Sequence, residues 1–538
     1  MTALLFPGRH HLLTNFQLEY LTLATKGDSR ELLDVAGKPL ELAEPIDAVI
    51  WAVTSANHSN TRRNPLPAHR REAAIEELAD LLDVPSFVFM IDDIGATPRF
   101  AEYVLKKIEV DSRRQFCLTP ENCVVACSTP AVIEQYERLG FRILPVELID
   151  RAEVKLSHST PWQLLEHLVS VGLAGHDWRT DPELVTKVAR ATRRMYEKYH
   201  YGDLIIDLHR RPLLTDDGDL TETRDYNTYV RAFDNGAARK CELVRDLIRP
   251  GRIVDIGCCT GALIGELTRE DRLRESDFYG IEVARALYAE CLHRKEQKLF
   301  ANDNVFFYQC DFAAAPVFAE HSVDTFLTFS LTHEVESYAG RDALLRFIDL
   351  LKAQLAPGGR WINVDVIGPE DKDLPILLWL NRDDGRNDDW EREFGPKERE
   401  VSRGYLNGLS TAARFRRFAR DFRRAEGYQM RVALENFDGN EYAQVRLADA
   451  CEFLSKKDYT DNWQSEMHET FCHWSFSDWQ EGVTRAGLKV LPGSRAFTNP
   501  WLVENRYRGK AEIFERTPRG LKPRDYEVTN MVLAVQGD

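Results

Sequence analysis

The residues best suited to chemistry lie in the C-terminal half of the chain, where acidic side chains close successive apolar runs. Asp255 stands in Val254-Asp255-Ile256-Gly257-Cys258-Cys259-Thr260-Gly261-Ala262. This reads as a strand, a tight glycine turn and a helix over 262–270. Glycines at 257 and 261 let backbone amides approach a ligand without interference from Cβ, and a helix N-terminus adds donors and positive potential. Asp255 is placed to accept from a cationic amino group. The next apolar run ends in Gly280-Ile281-Glu282, and an acid there suits hydrogen bonding to ribose hydroxyls. A third ends in Cys310-Asp311-Phe312. Its carboxylate can take the exocyclic amine of adenine, with Phe312 against the ring. A fourth ends in Ser330-Leu331-Thr332-His333-Glu334-Val335-Glu336. A neutral His333 can remove a proton from a hydroxyl or an amine, and Glu334 can orient it and stabilise its charge. The plainer alternative is a capping His followed by a Glu that starts a helix.

These residues need a sheet to hold them. Residues 246–368 give one: RIVDIG (252–257), DFYGIEV (277–283), VFFYQCDF (305–312), VDTFLTFSL (323–331) and RWINVDVIG (360–368) read as buried strands separated by helices. That pattern means a parallel α/β sheet, in which ligands sit outside the carboxyl ends of the strands. LKVLPGS (488–494) and KAEIFE (510–515) are expected to complete it, which makes 369–475 a charge-dense, helical insertion. Residues 1–175 form another α/β series, with strands at 47–56, 86–92 and 122–128 and helices at 71–82 and 130–140. Residues 176–245 read as a helical connector. The expected organisation is therefore a domain over 1–175, the connector, and a domain over 246–538 carrying the insertion.

The acids ending three successive strands, the glycine turn and Pro357-Gly358-Gly359 before the fifth strand resemble a class I S-adenosylmethionine-dependent methyltransferase over about 246–368 and the closing strands. The resemblance implies that Asp255 with Gly257–Gly261 holds the methionine end of the cofactor, Glu282 the ribose and Asp311 the adenine, and that His333 and Glu334 face the reactive methyl. Transfer to an already nucleophilic atom would need only positioning. The family often has Gly where Cys259 stands, which narrows the approach. A dinucleotide-binding domain is the alternative, disfavoured by D-x-G-x-x-x-G in place of G-x-G-x-x-G. In such proteins the segment holding Tyr226, Tyr229 and Arg231 often closes over the cofactor, though an amphipathic helix buries Tyr as readily.

In the insertion, Arg414, Arg417, Arg420 and Arg424 recur at helical spacing, with Phe415, Phe418 and Phe422 on another face. Two readings stand: an anion-binding lid, or a solvated amphipathic helix paired with nearby acids. His468 and His473 are five apart rather than the four a helical metal pair prefers, so the sequence gives no metal site. With Glu469, Trp474, Arg495 and Asn499 they are candidates to line a substrate pocket.

The N-terminus carries a second pattern: Gly8-Arg9 after a strand, then Thr14-Asn15-Phe16-Gln17, then Asn64-Pro65 and Arg71 beyond the next strand. A glycine turn leading into a helix is a place to hold phosphates. The segment resembles the nicotinamide mononucleotide adenylyltransferase branch of the HxGH nucleotidylyltransferases. The resemblance implies a nucleotide site at Gly8, Arg9, Thr14, Gln17, Asn64 and Arg71, with ATP or another nucleotide as ligand. Two departures weaken the implied activity. Gln17 replaces the second His of the motif, and Ser157–Gln163 lacks the Arg of a later phosphate motif. Phosphoryl-type transfer depends on positioning and charge stabilisation, so losing two cations is costly. His10, His11, Arg9, Arg62 and Arg63 are candidates to restore part of the charge.

Composition bounds these readings. The chain has 538 residues, 43% hydrophobic and 29% charged, an ordinary globular balance. The formal net charge of −16 makes a large nucleic acid a poor partner. No apolar run reaches the roughly 18 residues a membrane span needs, and no signal peptide is legible at the N-terminus. Ten Cys without C-x-x-C pairs point to reduced thiols and a cytoplasmic location. The leading expectation is an enzyme with two Rossmann-like, doubly wound α/β sheets that methylates a small, anionic or nucleotide-like metabolite. The alternatives are a bifunctional nucleotidylyltransferase and methyltransferase, and a non-catalytic nucleotide-binding scaffold. Oligomeric state is not legible.

Overall fold

The computed structural model describes residues 2–26, 32–35, 37–39, 44–95, 97–210, 226–313, 316–395 and 398–537, and for 226–233 and 399 only the backbone. The chain divides into two compact units: residues 1–211 with 216–218, and the remainder to 538.

The first unit is built on a five-stranded parallel sheet. From one edge its strands are Ser86–Ile91, Ile46–Thr54, Thr2–Gly8, Cys123–Ala126 and Arg142–Leu144. The inner strands are buried on both faces, as near-continuous runs such as AVIWAV require. The sheet order reverses between Thr2–Gly8 and Cys123–Ala126, which opens a crevice at their carboxyl ends. Residues 176–210, expected as a connector, contribute Trp178, Leu184, Val188, Met195, Tyr196, Ile205 and Ile206 to this unit's core. Their apolar stripe packs beside Leu164, Leu165 and Leu168 of the preceding helix, so the division falls near residue 211 rather than at 175.

The second unit holds two sheets. In the first, strands Val305–Gln309, Asp277–Glu282, Arg252–Ile256, Val323–Phe329 and Leu355–Val366 lie side by side in that order, all parallel. Asn530–Gln536 follows antiparallel, with Lys489–Val490 and Arg495–Phe497 on its far side. Again the order reverses, here between Arg252–Ile256 and Val323–Phe329. Buried aromatic and aliphatic layers cover both faces, around Phe326, Phe347 and Trp361 on one and Phe278, Ile264 and Leu327 on the other.

The second sheet of this unit corrects the expected helical insertion. Ala433–Phe437, Asn440–Arg446, Pro375–Leu380, Ala511–Thr517 and Gly520–Arg524 form a five-stranded antiparallel sheet. The helices Thr411–Asp421 and Leu447–Lys456 pack on it through Phe415, Phe418 and Phe453. KAEIFE therefore pairs with Leu377–Leu380 and not with the parallel sheet, whose closing strand is the more apolar NMVLAVQ of 530–536. The reason is burial. Positions 532–535 are fully buried on both faces, whereas alternate residues of 511–517 stay partly exposed, as an antiparallel strand with one wet face allows. Among the described residues no helix is long and apolar enough to cross a membrane.

Leu533, fully buried opposite Asn363, tests the closing strand. Leu533→Ala is expected to cost about 2–5 kcal/mol in denaturant unfolding. A loss below about 1 kcal/mol would show that this strand is not part of the core.

Candidate functional site

Asp255 is 3% exposed at the end of the second unit's central strand. The turn that follows needs three left-handed residues: Gly257 (φ 73°), Cys259 (φ 55°) and Gly261 (φ 72°). Glycine adopts this conformation freely, but for Cys259 it costs roughly 1–2 kcal/mol. The compensation is specific. The Cys259 amide donates to Glu282 Oε2 at 2.9 Å, and the Ala284 amide donates to Glu282 Oε1 at 2.8 Å. Glu282, at the end of the neighbouring strand, thus ties the glycine turn to its own. Burial pushes both Asp255 and Glu282 up to about 7.

The helix Tyr226–Val244 lies against this turn. Asp234 accepts from Thr260 Oγ1 at 2.7 Å and from Arg294 Nη2 at 2.7 Å. Lys240, pulled down to about 8 by burial and held up by Asp255, lines a narrow cleft with Asp255, Gly257, Thr260 and Phe329. The side chains of Tyr226, Tyr229 and Arg231 lie outside the described residues. Asp311 follows the next strand and accepts from the Ala313 amide at 2.9 Å. Phe312, expected against an adenine ring, is instead 2% exposed between Phe326 and Phe347, with ring centroids 5.4 and 5.7 Å away. Its ring belongs to the core.

Across the switch point, Val323–Phe329 leads into the helix Thr332–Ala339. Here the structure adds two carboxylates, Asp365 and Glu469, to His333 and Glu334. His333 Nδ1 donates to Asp365 Oδ1 at 2.6 Å. Asp365 also accepts from Thr332 Oγ1 at 2.5 Å and from the Val366 amide at 2.7 Å. His333 Nε2 faces Glu469 Oε2 at 3.5 Å, and Glu469 Oε1 accepts from Tyr338 at 3.0 Å. Burial alone would lower the pKa of His333. The Asp365 and Glu469 carboxylates outweigh it and hold the imidazole well above its usual range, as the cation. Glu334 belongs to the same cluster: one donor atom from each of His333, Glu334 and Glu469 lies within 4.8 Å of the others.

Sequence reasoning left Asp365 in a strand and Glu469 in a pocket lining. The available signal was an acid inside the otherwise apolar run INVDVIG. His473 is lowered to about 3 by burial and neighbouring cations, and sits 3.6 Å from Glu336. His468 pairs with Glu426 at 2.9 Å. Asn499 caps a short helix through the Trp501 amide, and Arg495 is exposed. The arginines of the insertion are paired with acids, as the amphipathic reading expects, but Arg414, Arg417 and Arg420 are largely buried rather than solvated. Arg414 meets Asp458 at 2.8 Å, while Arg417 and Arg420 meet Asp421 at 2.5 and 3.0 Å.

In the first unit a cavity of about 370 Å³ opens at the switch point, lined by Gly8, Arg9, Gln17, Ser128 and Trp162 among others. The expected nucleotide residues divide. Gly8 and Arg9 line the cavity, with Arg9 5.0 Å over the Trp162 ring. Thr14 and Gln17 form a helix capping box, and Gln17 Nε2 donates to the buried Glu147 at 3.0 Å. Asn64 accepts from His11, and Arg71 is fully buried, donating to the carbonyls of Arg9, Thr54 and Ser55. Burial lowers His10 to about 4 and His11 below its usual range, so neither supplies the charge expected of it. Arg62 donates to the Leu208 carbonyl.

Residues 254–362 match the family model for the methyltransferase domain. The second unit carries a methyltransferase domain. The N-terminal region is nucleotidylyltransferase-like: the nicotinamide-nucleotide adenylyltransferase of Halorubrum lacusprofundi is 25% identical over 132 residues, 23% of this chain and 69% of that protein. Similar solved structures include S-adenosylmethionine-dependent methyltransferases from Mesorhizobium loti (12% identity, TM-score 0.30, 56% of this chain and 99% of that one) and Clostridium acetobutylicum (10%, 0.28, 58% and 98%).

The neutral His10 gives a pH test. Unfolded, it takes a proton below about 6.5; folded, only near 4. It therefore removes stability as pH falls through that window, on the order of 3 kcal/mol at full effect. His10→Gln is expected to narrow its stability gap to the wild type on going from pH 7 to pH 4.5 in urea unfolding. A gap that does not change with pH would show that His10 titrates normally.

Proposed function

We propose that the second unit transfers a methyl group from S-adenosylmethionine to a small metabolite. The observation carrying this is the pair of buried carboxylates, Asp255 and Glu282, that end adjacent strands on either side of a left-handed glycine turn. A cationic amino acid moiety suits Asp255, because burying a carboxylate is costly until a positive partner arrives. Among the described residues, Lys240 is the cation that acts on Asp255. Ribose hydroxyls suit Glu282, whose oxygens each accept one backbone amide and keep capacity for a second donor. Asp311 remains the acceptor for the adenine amine; Phe312 is withdrawn from that role.

His333 and Glu334 stand at the carboxyl end of the neighbouring strand and act on the acceptor. The burial of His333 and its cover by Glu469 favour a small acceptor over a polymer. Since the insertion's arginines are matched by acids, the acceptor's charge does not follow from them.

For the first unit we propose a nucleotide-like ligand at Arg9 and Trp162, without nucleotidyl transfer. Gln17 is spent on its helix cap and on Glu147, and a buried carboxylate beside a transferring phosphate opposes the charge that forms there. The bifunctional reading rests on the likeness to the Halorubrum protein. Incubating the chain with ATP, Mg²⁺ and nicotinamide mononucleotide is expected to release no pyrophosphate above the enzyme-free rate. Stoichiometric release would establish the bifunctional enzyme.

The methyltransferase reading predicts that Asp255→Ala lowers calorimetric affinity for S-adenosylmethionine by at least about 100-fold (roughly 2.7 kcal/mol). His333→Ala should leave that affinity within about 2-fold while slowing turnover. Unchanged affinity in Asp255→Ala would remove the cofactor assignment.

A further inference from the structure

We infer that His333, Glu334 and Glu469 form a divalent-cation site that holds the methyl acceptor. For the ion's use, this rests on the methyltransferase reading; the site itself does not.

The geometry carries it. Donors in a nitrogen and oxygen shell with bonds of about 2.0–2.2 Å stand roughly 3–4.4 Å apart. His333 Nε2 and Glu469 Oε2 are 3.5 Å apart, and the whole set of three lies within 4.8 Å. Small rotamer adjustments of Glu334, the least buried of the three, close the remainder. The surrounding groups are those that a ligating histidine requires. Asp365 binds Nδ1 at 2.6 Å and fixes the ring so that Nε2 points to Glu469, the carboxylate–histidine–metal relay in which a bound ion takes the place of the Nε2 proton, released to solvent. Tyr338 takes the other oxygen of Glu469 and orients Oε2 toward His333. Lys456, whose ammonium lies nearby against the Glu469 carbonyl, is paired with Glu452 at 2.8 Å, so its charge is spent there.

One imidazole and two carboxylates suit Mn²⁺, Fe²⁺ or Zn²⁺ better than Ca²⁺. Three protein ligands leave positions open for an acceptor oxygen. An acceptor hydroxyl bound there loses its proton to solvent more readily. Its oxygen lone pair forms the new O–C bond as the sulfonium S–C bond breaks, giving the methyl ether, the neutral thioether and one released proton. The inferred substrate class is thus an oxygen acceptor able to ligate a metal.

The test is Mn²⁺ binding to the EDTA-treated full-length chain, followed by loss of the free-ion electron paramagnetic resonance signal, with S-adenosylmethionine affinity measured alongside by calorimetry. One Mn²⁺ per chain is expected. Glu334→Gln and Glu469→Gln should weaken it at least about 10-fold, and Asp365→Asn by roughly 10–100-fold. Circular dichroism and retained cofactor affinity verify that each variant is folded. Absence of Mn²⁺ binding in a chain that binds S-adenosylmethionine would overturn the site and spare the methyltransferase reading. So would Mn²⁺ binding that Glu334→Gln, the partly exposed and structurally mildest change, leaves at the wild-type value. Mn²⁺ binding without cofactor binding would keep the site and overturn its use in methyl transfer.

Discussion

The Glu282 carboxylate is the interaction on which the candidate cofactor site depends. It accepts the amides of Cys259 and Ala284, fixing a turn whose middle residue is a left-handed cysteine. Without that acceptor the turn would present an orphaned buried amide and a strained residue together, an arrangement costing several kcal/mol. With it, the main chain is held close to Asp255, and burial pushes both carboxylates up to about 7. Such groups are costly to keep charged and gain most from a cationic or hydroxyl-rich ligand.

The opposite side of the cleft follows another logic. Asp365 reaches His333 from a strand and Glu469 reaches it from the insertion, so the insertion is part of the site and more than a lid over it. The antiparallel sheet formed by 375–380, 433–446 and 511–524 supplies the rigid base for the helices leading to Glu469. A parallel sheet alone offers strand ends on one side of a ligand; the inserted layer brings Glu469 to His333 from the other.

Local features were legible in the sequence and tertiary ones were not. Asp255, the glycine turn and Glu282 announce themselves because strand, turn and acid are contiguous, and the parallel strands because each is a continuous apolar run. Asp365 and Glu469 lie 32 and 136 residues from His333, and no periodicity links them. Glu334 is adjacent in sequence and so is legible beside His333, whereas Asp365, which holds Nδ1, is not. KAEIFE carries no mark of the sheet it joins, because an alternating strand fits either; its partners are Leu377–Leu380 in the insertion and 520–524 beyond it. Phe312 followed an acid at a strand end and read as a ligand contact, but the apolar layer beneath the sheet claimed it. In the first unit, Thr14 and Gln17 have the spacing of a catalytic pair and equally that of a capping box, and the buried Glu147 that decides between them is 130 residues away.

The most direct test of the central claim is a crystal structure of the chain with S-adenosylhomocysteine. The homocysteine amino group is predicted within hydrogen-bond distance of Asp255, the ribose hydroxyls at Glu282 and the sulfur facing the His333–Glu469 side of the cleft. A ligand bound elsewhere, or one whose ribose does not touch Glu282, would contradict the account.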